Sequence, residues 1–236
     1  MIGYIFIIIF LITSGLFHWV VSYETNLLEG SEVDMIPFFN LSPMIFLILI
    51  PAITMRSIAE ERRNGTIELL FTRPITDLKI ILAKYLAGVT LLIISLLPTL
   101  VYYLSMRSLG ANPTGEDGSM ISVIDEGATF TSYIGLILLG SAFVSIGIFA
   151  SSVTSSQIVA FILAMFLCWF FYSGLDLLGS FNLMGKFDFV FQFIGITPHY
   201  ESIMRGVIDT SDILYFIGLI AIFITASLTV VKSLKR

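Results

Sequence analysis

Charge is scarce in this chain, and most of the chemistry that charge supports is scarce with it. Only 12% of the residues are Asp, Glu, Lys or Arg, while 57% are hydrophobic and the mean hydropathy is +0.98; a soluble domain carries about 25% charged residues. A chain of this composition is an integral membrane protein. Its one cysteine, Cys168, lies in mid-run, so a disulfide or a metal site lacks partners and the residue reads as packing. Of the two histidines, His18 and His199, the first stands beside Trp19 near a membrane boundary and reads as interfacial rather than as a proton carrier. The sequence holds no HExxH, no nucleophile–base pair and no Gly-rich phosphate loop. No acidic residue falls at the centre of an apolar run, and Asp176 is near enough to an end to reach water. Secondary transporters and proton pumps need ionisable or unwound elements near the bilayer midplane. If this protein moves something, the energy comes from elsewhere, and the chain itself offers no catalytic residue, no metal site and no cofactor site.

What is present is hydrophobic length. Six runs are long enough or nearly long enough to cross roughly 30 Å of hydrocarbon at about 1.5 Å per residue: Ile2–Val21, Pro43–Ala59, Ile80–Leu104, Tyr133–Ala150, Ile158–Leu178 and Ile213–Val231. Strands of a barrel would alternate polar and apolar residues, whereas these runs are apolar on all sides. The reading is an all-α polytopic membrane protein in a single domain over residues 1–236. Pro51 and Pro98 fall inside runs and are expected to kink them.

The few charges are unevenly placed. If residues 56–84 share a side with the C-terminus, that side holds Arg56, Arg62, Arg63, Arg73, Lys79, Lys84, Lys232, Lys235 and Arg236, nine of the twelve cations. Arg107, Lys186 and Arg205 remain on the other. The positive-inside rule makes the first side cytoplasmic, and six spans then put the N-terminus there too. The formal charge of −5 divides into +5 inside and −10 outside, so the acidity belongs to the outer loops and points to no nucleic acid. The first run lacks a basic n-region and a small-residue cleavage site after Tyr23-Glu24-Thr25-Asn26, so it reads as a retained span rather than a secretory signal.

The densest chemistry is the island EERRNGTIELLFTRPITDLKIILAKY at 60–85. Glu60, Glu61, Arg62 and Arg63 are consecutive. Gly65 and Thr66 read as a turn and cap, and Ile67, Leu70 and Phe71 follow at i, i+3 and i+4, one face of a helix. Pro74 stops that helix and Thr76-Asp77 opens the next. A short amphipathic helix between two spans is a docking device, since its apolar face needs a partner. Ser151 to Gln157 joins the fourth and fifth runs with hydroxyls able to cap both helix ends; a second cytoplasmic contact and a plain turn are both open readings. Phe187 to Gly195 is apolar but too short to span, and reads as a re-entrant or interfacial outer element between the fifth and sixth spans.

The island resembles the acid-rich, Gly-Thr-x-Glu-x-Leu, Pro, Lys pattern of ABC-2 type transporter permeases. The six-run layout, Pro98-Thr99, and the Thr197-Pro198, Gly206, Asp209, Asp212 series before the last run are similar as well. More narrowly, residues 147–174 and 204–216 resemble the F permease subunit of gliding-motility-associated ABC transporters of Bacteroidota. The resemblance covers essentially the whole chain and implies an inner-membrane exporter subunit. Its partners would be a cytosolic ABC ATPase subunit, which binds the ATP, and a second permease subunit, like or unlike. It further implies that Gly65, Thr66, Ile67, Glu68, Leu70, Phe71 and Pro74 belong to a coupling helix seated on the ATPase, and that Glu60, Glu61, Arg62 and Arg63 form a polar gate. Spans one and five, with Phe17, Trp19, Ser173 and Gly174, are the expected face for the second permease. The chain departs from the family by lacking a basic amphipathic helix before the first span, and its reading frame is expected to extend upstream through one. The alternative is a scaffold that anchors a motility or secretion complex without moving a substrate.

Overall fold

The computed structural model describes residues 2–21, 35–68, 75–109, 111–112, 121–122, 125–180 and 193–234. Among the described residues, six helices are long and apolar enough to cross a membrane: Gly3–Val20, Ile36–Arg63, Asp77–Ser108, Glu126–Val153, Gln157–Ser180 and Thr210–Ser233. The protein is all-α, apart from one antiparallel pairing of Ala111–Asn112 with Ile121–Ser122 among the described residues. The fourth and sixth spans begin at carboxylates: Asp125 accepts from Ala128 N and Asp209 from Ser211 N, each at 3.0 Å. Both are N-caps that satisfy helix-end amides.

Several spans run further than their apolar runs. The second begins at Ile36 rather than at Pro43, which sits inside the helix. Proline has no N–H, so the Phe39 carbonyl one turn earlier loses its intrahelical donor. The Tyr200 hydroxyl fills that place, donating to Phe39 O at 2.8 Å from a residue 161 positions away. The third span, by contrast, carries its proline in a 3-10 turn at Leu97–Thr99. Here the Tyr133 hydroxyl donates to Thr99 O at 3.1 Å. The first and fifth spans each contain a π-helical stretch, Phe17–Val21 and Phe170–Gly174.

The fourth span is the axis of the bundle. It is 78% buried, whereas the first and third are 22% buried, and it packs against the second, third, fifth and sixth spans. Small residues allow this approach: a Cβ on Gly147 would stand 2.1 Å from Thr54 Oγ1 of the second span. Cys168 packs against this axis, fully buried near the Phe143 carbonyl. His18 stands in the closing π-helical stretch of the first span. It is 1% exposed, stacked on Tyr102 and edge-on to Phe38, with Met106 Sδ 3.4 Å from Nε2. Three spans close an aromatic cage there that the neighbouring Trp19 did not reveal. Of the expected outer element, residues 187–192 lie outside the described residues. Beyond it a short helix, Ile196–Met204, turns Ile196, His199, Tyr200 and Ile203 inward.

Candidate functional site at the charged end of the bundle

The four consecutive charges stand on a short helix, Ala59–Arg63, that continues the second span after a turn at residues 55–58. Its acids lie in the first turn and its arginines in the last, as the helix dipole favours. A break between two helices leaves backbone groups without partners, and here one side chain serves them. Ser151, in the last turn of the fourth span, accepts from both Ile58 N and Ala59 N at 3.0 Å and donates to Met55 O at 3.0 Å. Ser151 is fully buried. It therefore caps a helix from another span, not the ends of its own loop; within that loop Ser156 N donates to Thr154 Oγ1 at 3.1 Å in a local turn, and Ser156, at the N-cap of the fifth span, makes no side-chain cap bond.

Two charges reinforce this junction. Arg62 Nη1 donates to the Ser152 carbonyl at 2.7 Å, a second tie to the fourth span. Lys84 of the third span pairs with Glu61 Oε1 at 2.6 Å and also donates to the Ser57 carbonyl. An exposed pair contributes about 0–1 kcal/mol, but both side chains of this one are roughly three-quarters covered. A charge-assisted bond to a carbonyl adds about 1.5–3 kcal/mol. Ends of the second, third and fourth spans are thus joined through residues 55–62.

The quartet divides. Glu61 and Arg62 are engaged as anchors, whereas Arg63 is exposed; Glu60 and Glu61 both line a cleft of about 430 Å³ with Arg56, Asn64 and Lys84, and only Glu61 pairs with the lysine. A smaller cavity of about 200 Å³ shares Ile53, Ser57 and Lys84 with the cleft and runs along Gly88 and Leu91 of the third span. Gly65 adopts φ +69 with open space around it. It is the left-handed residue that ends a helix, a conformation costly to any side chain. Thr66 reaches back to Glu61 O at 3.4 Å. Ile67 is half-buried and packs against this chain's own core, while Glu68 is exposed. Leu70, Phe71 and Pro74 lie outside the described residues. Among the described residues, no three His, Cys, Asp or Glu side chains gather as a metal ion would require.

Six helices long and apolar enough to cross a membrane, three of them joined by polar ties at one end, have the layout of a transporter's membrane half. The sequence pattern of the ABC-2 family transporter protein matches residues 4–233. The chain belongs to the ABC-2 transporter family. No curated protein matches it. An ABC-2 permease is the membrane component of a transporter, is not itself catalytic, and normally works with an ATPase subunit in a lipid bilayer. This ABC-2 protein is accordingly a multi-pass membrane protein. The sequence singles out the four charges but not the Lys84 that pairs with Glu61, nor the Ser151 that caps the helix carrying them. A buried serine near a span end carries no signal of which distant helix it caps.

Proposed function

We propose that this ABC-2 permease is one membrane subunit of an ATP-driven exporter of the gliding-motility-associated type, energised by a separate cytosolic ATPase that docks on residues 65–74. The carrying observation is the junction at residues 55–62, where Ser151, Arg62 and Lys84 tie three span ends together. A force applied to the segment that follows would act on all three ends at once. Glu60 and Arg63, which have no part in those ties, are the members of the quartet free to act as a gate beside the cleft. Ile67 then anchors the segment to the membrane half, while Leu70 and Phe71 meet the ATPase.

The distribution of cations supports an inner-membrane location with both termini in the cytoplasm. A second permease subunit completes the pathway. The first and fifth spans are 22% and 28% buried, and the fifth presents Phe166 and Trp169 outward. Their bare faces support association there, although the third and sixth spans are equally bare.

Phe71→Asp tests the docking. It would bury an unpaired charge in the contact, a cost of about 3–5 kcal/mol, while the spans insert as before. Co-purification with the ATPase should be lost at normal membrane expression. Retained ATPase binding by Phe71→Asp would refute the docking assignment.

A further inference from the structure

The helix Ile196–Met204 is the hub of the bundle end opposite the charged helix. Its Tyr200 hydroxyl donates to Phe39 O of the second span, Met204 O accepts from Ser132 of the fourth at 3.2 Å, and the Thr197 hydroxyl donates to Tyr172 O of the fifth. His199 makes the connection to the sixth. Its Nδ1 lies 2.7 Å from Asp212 Oδ1 and its Nε2 donates to the Phe193 carbonyl at 2.9 Å. Both residues are only 7% exposed. The Tyr215 ring stacks on the imidazole at 4.0 Å and 18°, and its hydroxyl donates to the next carbonyl, Ile194 O, at 2.5 Å.

Phe193 and Ile194 are helical residues immediately before the bend at Gly195, and their carbonyls accept from His199 and Tyr215. Two side chains from other elements supply donors to them. A carbonyl can only accept, and the carboxylate faces the other ring nitrogen. The imidazole bridges the Phe193 carbonyl and the Asp212 side chain through its two ring nitrogens. Removing either partner leaves a buried polar group without its bond.

We propose that His199, Asp212 and Tyr215 form a latch that holds the helix end at Phe193–Ile194 against the start of the sixth span. These are positioning residues. With the pair closed, Phe193 and Ile194 are held to the short helix and the sixth span; with it broken, they are released while the hub's ties to the second and fourth spans remain. The latch needs no ATPase, so its failure and the failure of the docking assignment are separate outcomes.

The test uses the full chain in lipid nanodiscs, spin-labelled at Ile194→Cys and Leu214→Cys. Both positions are exposed, while Cys168 is fully buried and escapes the label. Double electron–electron resonance should give a narrow distance distribution for this parent. Asp212→Asn should broaden it and lengthen its mean, and Tyr215→Phe, which removes only the bond to Ile194 O, should broaden it less. A distribution unchanged by Asp212→Asn in monodisperse protein overturns the latch. Should Asp212→Asn fail to fold, Tyr215→Phe decides: a distribution that it leaves unchanged overturns the latch equally.

Discussion

The two ends of this bundle are tied in opposite ways. At the charged end, the ties are one buried hydroxyl and two long cationic side chains, reaching backbone amides, backbone carbonyls and one carboxylate at the edge of an open cleft. At the other end they are aromatic and imidazole groups: Tyr200 and His199 are almost wholly covered, and a nine-residue helix bonds to four different spans. Groups that stay near water can exchange partners cheaply, whereas buried polar groups must keep theirs or be left unsatisfied. The difference teaches where each end can yield. On the proposed docking of an ATPase beyond Gly65, the charged end would transmit a push, and on the proposed latch the opposite end would hold a position until a specific contact breaks.

The comparison can be broken most severely at the axis that both ends share. A Cβ at Gly147 meets Thr54, a stiff, fully packed β-branched residue. Gly147→Ala should therefore cost about 1–3 kcal/mol through overpacking, read as a fall of about 3–10 °C in Tm in detergent. Thr54→Ala in the same chain should recover part of that loss. An unchanged Tm for Gly147→Ala would mean that the two spans do not approach as closely as described.

Next in size is Ser151→Ala, which strands two buried amides at about 1–3 kcal/mol. Faster hydrogen exchange is expected at Ile58 and Ala59, with the residues around Phe39 unaffected. Tyr200→Phe is the mirror experiment, leaving the carbonyl orphaned by Pro43 without its donor. Exchange should then rise in the first turns of the second span and stay unchanged at the charged end, with a somewhat smaller effect on Tm. If either substitution loosens both ends alike, the ends are not independent and the comparison fails.

The smallest expected effect on stability is that of Arg63→Ala, because Arg63 is exposed and outside the junction. Tm and ATPase binding should match the parent, whereas ATP-driven activity of the complete complex should change if Glu60 and Arg63 form the gate. Unchanged activity in Arg63→Ala would remove Arg63 from that role and leave the quartet as anchors plus a topology signal.

Much of the architecture was legible in composition and run length. Six spans, their helical nature, the turn at Gly65 and the helix opening at Thr76-Asp77 all rest on local rules: apolar length, the need of backbone groups for internal partners in lipid, and the permissiveness of glycine. The charged island was visible for the same reason, since charge in a lipid-like chain stands out. Span boundaries were misjudged where a distant residue overruled a local one. Pro43 looks like a start because it lacks a donor, and Tyr200 supplies that donor only after the bundle is assembled. His18, judged by its neighbour Trp19, proved to be enclosed by Phe38, Tyr102 and Met106 from two other spans.

The sequence by itself determined the class of this protein, its six crossings and the position of its charged island, because each depends on the free energy of placing a short stretch of chain in lipid or water. Only the tertiary structure decided which of four adjacent charges are anchors, that Ser151 caps a helix of another span, and that His199 meets Asp212 beside Tyr215. Each of those is a hydrogen bond or ion pair between segments far apart in sequence. Its partner is chosen by packing around the fourth span, and no local pattern records that choice.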